Sequence, residues 1–299
     1  MSRKTNPDDC PVGNMVMPLE SKPTYGAGSF NDSSRQNSGV PDAGCLIINA
    51  DDWGQNHETT DRIFDCAVRG NISSVSAMVF MDDSERAAGL AQESGIDAGI
   101  HLNFTTPFSA GSCPPRLLER QREVAAYLLR YPLARVIFHP GLTRSFEYVV
   151  AAQIIEFCRL YGVPPARLDG HHHQHLCANV LFGGLLPQGT IARRNFFFWP
   201  GEKSSLNRYY RKAIDHLLAT HHQIVDFLFV LPPIEPAARL KRIRSLANQF
   251  TIELETHPVN PEEYRFLTRG EIRRCFGDIP IAPRFAVPER LAARNRTNH

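Results

Sequence analysis

The chain has 299 residues, of which 42% are hydrophobic and 21% charged, with a net charge of +2. This is globular composition, and the length suits one large domain such as an α/β barrel or two small ones. The near-neutral balance gives no reason to expect nucleic acid as an obligatory partner.

The first forty-odd residues are rich in Ser, Asn, Gly, Pro and Asp and show no hydrophobic period. They cannot bury enough apolar area to offset their ordering entropy, so 1–43 reads as a disordered N-terminal tail and 44–299 as the folded domain. The run Cys45-Leu46-Ile47-Ile48 is of the kind that forms a buried parallel strand. Thr59 to Val68 has apolar residues at helical spacing and ends near Gly70. Val75 to Val79 reads as a strand, Ser84 to Ser94 as a helix and Ile96 to Leu102 as a strand. Glu147 to Leu160 is a long amphipathic helix stopped by Gly162, Pro164 and Pro165. Arg167 to Asp169 is a short strand, Lys203 to Leu218 a helix, and Ile224 to Leu231 and Phe250 to Thr256 are later strands with a helix over 236–248 between them. Repeated β–α units predict a parallel sheet, open or closed into a barrel.

Seven scattered cysteines form no CxxC pair and suggest neither a disulfide framework nor a cysteine-built zinc site. Cys45, Cys66 and Cys158 lie in apolar patterns and read as small buried hydrophobes. This fits a reducing compartment. MSRKTNPDDC lacks the apolar core of a signal peptide, and no apolar stretch approaches the roughly 20 residues of a membrane helix. The expectations are a cytoplasmic location and no membrane span.

Four short motifs each follow a predicted strand, where α/β folds gather their sites. In Ala50-Asp51-Asp52-Trp53-Gly54 one carboxylate can bind a cation while the other handles protons, or an Asp can simply cap the next helix. His101 in Gly99-Ile100-His101-Leu102-Asn103, taken alone, reads equally as a core residue. Asp169-Gly170-His171-His172-His173-Gln174-His175 packs four histidines into five positions, which is hard to explain by packing and points to a metal. His171 is best placed to project from the strand end, with Asp169 or a neighbouring His supporting a ligand from behind. His257 in Glu255-Thr256-His257-Pro258 is a general-acid candidate or an ordinary loop residue. One Asp and two His with open positions is the ligand set of a catalytic metal, leaving a spare Asp and His for proton transfer.

The motifs ADDWG, GIHLN, LDGHHHQH and ETHP, in this order and spacing, resemble those of the YdjC-like carbohydrate deacetylases over about Cys45 to Leu267. The resemblance implies a distorted (β/α) barrel related to the polysaccharide deacetylases and removal of an N-acetyl group from an amino sugar. It implies Asp52, His101 and His171 as ligands of one divalent ion, Zn2+ or Mg2+. It further implies Asp51 as general base, His257 as general acid, and an Arg that orients the base, with Arg193 preferred over Arg194. Trp53, Gly170 and Thr256 depart from the family pattern without removing a candidate ligand. Phe196 to Trp199 reads either as aromatic faces for a sugar, Trp199 foremost, or as a core strand entering a turn. The helix over 203–218 carries basic residues beside tyrosines. It is either a solvated face or a contact for an anionic glycan such as a nucleotide-linked or lipid-linked sugar. The partner expected is an N-acetylated sugar, with a homodimer left open. The alternatives are hydrolysis of another bond, such as a phosphodiester, and a non-catalytic glycan-binding module.

Overall fold

The computed structural model describes residues 44–131, 133–231 and 238–287, so the segment 1–43 expected to be disordered lies outside the described residues. The order is β1 (Cys45–Trp53), α1 (His57–Val68), β2 (Ser74–Ala77), α2 (Ser84–Ser94), β3 (Ala98–Leu102), α3 (Pro115–Arg130), α4 (Thr143–Tyr161) and β4 (Arg167–Gly170). There follow α5 (Ala178–Phe182), β5 (Ile191–Ala192), α6 (Ser205–Ala219), β6 (Phe227–Val230), α7 (Ala238–Ala247), β7 (Thr251–Thr256), α8 (Pro261–Thr268) and α9 (Glu271–Phe276).

Local signals account for many of the boundaries. Asn56 caps α1 by accepting from the Thr59 N–H, and the left-handed Gly95 and Gly162 end α2 and α4. The helix over 236–248 is seen as α7, positions 236 and 237 lying outside the described residues. Cys45 and Cys66 are buried as expected, whereas Cys158 is only half-buried.

All seven strands pair in parallel in the order β5-β4-β3-β2-β1-β7-β6. The sheet curls until its two edges meet. Ala192 N–H donates to the Gln223 carbonyl (2.9 Å), Gln223 N–H to that of Thr190 (3.1 Å), and Phe197 N–H to that of Leu228 (2.9 Å). The result is a distorted barrel, closed through irregular segments because β5 has only two residues.

The two sides of the sheet differ in chemistry. Along β1 the alternate residues Leu46, Ile48 and Ala50 join the main apolar core with the helices, while Ile47 packs with Val225 and Ala282 in a separate small cluster. That cluster is extended by Phe285, whose ring lies 4.7 Å from the Arg167 guanidinium. Beyond it the barrel interior is polar. Asn49 donates to Ser76 Oγ (2.7 Å) and to Asp51 (2.8 Å), Ser76 to Asp169 (2.5 Å), and Arg167 to Ser76 (3.1 Å) and Asp169 (3.2 Å). Buried polar groups persist only when paired in this way.

Candidate metal centre and catalytic groups

Asp51 and Asp52 lie in the last three residues of β1. Successive strand residues point to opposite faces, yet both carboxyls reach one cavity. The β1–β2 register shifts between Ala50 and Trp53, and Asp52 adopts a left-handed φ of 66°. His172 (54°) and His173 (56°), in the 3-10 turn His171–Leu176 after β4, are also left-handed. Such residues cost about 1–3 kcal/mol each and gather at functional sites. The cavity, of about 370 Å³, is lined on its polar side by the two aspartates, His101, His171, His172, His173, Glu255 and His257, and on its apolar side by Phe196 and Val230.

Asp52, His101 and His171 converge. Their donor atoms lie within 4.8 Å of one another. Asp52 Oδ1 is 2.9 Å from His171 Nδ1 and 3.4 Å from His101 Nε2. His101 Nδ1 lies 2.7 Å from Asp169, its register partner on β4. In the neutral ring this contact takes the Nδ1 proton and leaves the Nε2 lone pair turned toward Asp52. Asp52 Oδ1 and His101 Nε2 are both buried without a hydrogen-bond partner, a condition that ordinarily costs about 1–3 kcal/mol per group. A cation between them would satisfy both.

The charge balance points the same way. Asp51, Asp52, Asp169, Glu253 and Glu255 are five buried carboxyl groups, set against two buried guanidiniums, Arg167 and Arg193. The histidines respond to this excess. Burial alone would depress the His101 pKa, but Asp51 and Asp169 push it up to about 10. Burial would raise Asp52, but the His101 and His171 rings beside it hold it well below the usual carboxylate range. The donor set thus fits one divalent ion.

Arg193 is the hub beneath this group. It is 1% exposed at the side chain. Its Nη1 and Nη2 grip Asp51 at 2.6 and 2.7 Å, Nε meets Glu253 at 2.7 Å, and Glu255 and Asp169 lie at 3.1 and 3.0 Å. Asp51, Glu255 and His257 also lie within 4.8 Å of one another, but both Asp51 oxygens already accept from Arg193, so a guanidinium stands where a second cation would. Burial raises Glu253 to about 7 despite Arg193.

His257 follows β7. Its N–H donates to Glu263 Oε2 (2.7 Å), and the Thr256 hydroxyl donates to the same oxygen (2.7 Å), which anchors the turn. Burial would lower the His257 pKa, but Asp51, Glu255 and Asp52 together raise it, favouring the protonated ring.

Arg194 and Trp199 are not brought to this cavity. Arg194 turns away to Asp215 (2.8 Å) and to the carbonyls of Val225 and Asp226. Trp199 stacks on Phe229 (5.1 Å) under the Arg242 guanidinium (4.0 Å), because the chain after Phe196 runs into the core beside β6. Phe196 is the aromatic that lines the cavity. Glu253, Glu255 and Arg167 are not among the candidate site residues read from the sequence. The available signal is charged residues at alternate positions in otherwise apolar strands, as in Glu253-Leu254-Glu255 and Arg167-Leu168-Asp169.

Chitooligosaccharide deacetylases of Serratia marcescens and Yersinia pestis (strain Pestoides F) are each 30% identical to the chain, over 136 and 138 residues. These matches cover 44% and 45% of this chain and 50% and 52% of theirs, so the chain spans about half the length of the curated relatives it matches. A crystal structure from Enterococcus faecalis V583, described as a cellobiose-phosphate cleavage protein, shares the fold at 17% identity and a TM-score of 0.55, over 79% of this chain and 95% of that one. The family profile described as YdjC-like protein matches residues 45–260, and the chain belongs to the YdjC-like family.

Proposed function

We propose that this chain is a metal-dependent hydrolase that removes the N-acetyl group from an amino sugar or N-acetylated oligosaccharide and releases acetate. The observation that carries the reading is the convergence of Asp52, His101 and His171 beside an Arg193-clamped Asp51 and a cation-favouring His257. The named relatives supply the substrate class.

Asp52, His101 and His171 would hold the ion, and one oxygen with two imidazole nitrogens suits zinc best. Such an ion supplies Lewis-acid polarisation of the acetamide carbonyl and acidifies water. Asp51 accepts the proton of the attacking water. The Arg193 clamp orients the carboxylate, which lines the cavity with Oδ2 4.0 Å from His101 Nε2. His257 gives its proton to the sugar nitrogen as the C–N bond breaks, because an unprotonated amine is a poor leaving group. Phe196 and Val230 form the apolar wall on which a sugar face can rest.

The test is acetate release from N-acetylglucosamine oligomers by protein loaded with Zn2+ or Mg2+, with a chelated control. Turnover with either ion, abolished by chelator and restored by metal, is expected. Equal turnover in both samples, or hydrolysis of phosphodiesters in preference, refutes the reading.

A further inference from the structure

One face beside the cavity combines exposed apolar side chains with uncompensated positive charge. Residues 124–146 include Arg130, Arg135 and Arg144 and no Asp or Glu, and residues 203–214 include Lys203, Arg208, Arg211 and Lys212 and again no acid. Both stretches border α5, since His139 is hydrogen-bonded to Asn179 and α5 shares a cavity with Leu217 and Leu218 of α6, and the Arg135 charge bears on Tyr210 and Arg211. They also flank the C-terminal ends of the strands. Phe146 of α4 packs on Phe104 just past β3 (5.7 Å), His139 exchanges two hydrogen bonds with Asn179 after the histidine turn (2.9 Å each), and α6 follows the cavity-lining Phe196.

Large apolar residues stand out from this basic surface. Leu206 is 79% exposed, Tyr209 73%, Leu133 62% and Ile137 54%. Single exposed apolar residues are ordinary, but a group of them marks an interaction site. None of Arg130, Arg135 or Lys212 has an ion-pair partner among the described residues.

We propose that this face docks the protein on a lipid bilayer carrying anionic headgroups. Basic side chains at the headgroup level with Leu, Ile and Tyr entering the interface is the composition of a peripheral membrane surface. Charge decides against the other occupants. A symmetric contact between two copies would set the seven basic residues of one against the seven of the other. Residues 1–43 carry four basic and five acidic residues, a nearly neutral segment with little to offer this face. A nucleic acid would match the charge but leaves exposed Leu and Ile unexplained, since single strands are held by aromatic stacking and duplexes by polar contacts. Docked this way, the protein presents the cavity beside the membrane rather than to bulk solvent.

The test is sedimentation of the full chain with vesicles of phosphatidylcholine alone or with roughly a third phosphatidylglycerol. Partition into the anionic vesicles at low salt, loss in high salt, and no partition into the neutral ones are expected. Leu206→Ser with Tyr209→Ser, and separately Arg135→Ser with Lys212→Ser, should keep the parental unfolding midpoint, because these side chains are exposed. The charge pair should lower partition by about fivefold for each basic residue removed. Equal partition into both vesicle types, no partition at low salt, or variants that partition like the parent overturn the proposal. So does a salt-sensitive affinity for duplex DNA that the same variants lose while vesicle binding is absent. A dimer that dissociates in the variants without vesicle binding overturns it in favour of self-association.

Discussion

Replacing Arg193 by Met should destabilise the protein strongly at alkaline pH and far less at acid pH. In the native barrel the guanidinium is 1% exposed and lies 2.6–3.1 Å from Asp51, Asp169, Glu253 and Glu255. Methionine fills much of the volume but leaves four buried carboxyls facing one another. Removing one partner of a buried ion pair costs about 3–5 kcal/mol, a large share of a typical total of about 5–15 kcal/mol. The carboxyls can escape this cost by taking up protons. Glu253 is already raised to about 7 with Arg193 present, so without it that pKa and those of its neighbours move up further. A carboxyl whose folded pKa lies above its unfolded value gives a folded state that binds more protons. Stability then falls as pH rises from the unfolded value near 4.5 through the folded one. Urea unfolding of both proteins at pH 5.5 and pH 8, with chelator throughout, measures the effect. The variant should be weaker by about 3–5 kcal/mol at pH 8 and recover a substantial part of that at pH 5.5. A deficit below about 1 kcal/mol at pH 8, or the same deficit at both pH values, would refute the account of Arg193 as the counter-charge of the barrel.

Three further outcomes are expected. Asp51→Asn should keep bound metal while turnover falls by about 10²–10⁴-fold, and Asp52→Asn should lose metal in elemental analysis; the reverse pattern would invert their roles. His257→Ala should keep metal and slow cleavage of an acetamide more than of an activated acetyl ester, whose leaving group needs little protonation, and equal slowing removes His257 as the acid. Among glycines, Gly89→Ala lies inside α2 with open space around its Cβ and should raise stability by about 0.5–1 kcal/mol. Gly99→Ala would set a Cβ 2.6 Å from the buried Arg167 Cζ and should cost about 1–3 kcal/mol; thermal unfolding of the two variants in opposite directions is the check.

Local sequence carries most of the alternation of elements and the places where chemistry sits. Apolar runs such as Cys45 to Ile48, and helices closed by Gly70 and Gly162, carry their periods locally, so most strands, the helices α1, α2, α4, α6 and α7 and the motifs at strand ends were legible, whereas α3, α5, α8 and α9 were not. The histidine cluster was legible because four imidazoles in five positions have no packing explanation. The tertiary structure alone decided what those motifs face. Asp51 and Asp52 share a cavity only because a register shift and one left-handed residue turn the chain. Asp169 supports His101, 68 positions away, because β3 and β4 align them as register partners. Arg193 faces inward and Arg194 outward through the alternation of the extended chain after β5, and neither residue's type reveals which. Glu253 and Glu255 are charges within an otherwise apolar strand, and only curling of the sheet places them around one buried guanidinium. A local pattern records which side of a strand a residue lies on. What waits on that side depends on strands brought together from across the whole chain.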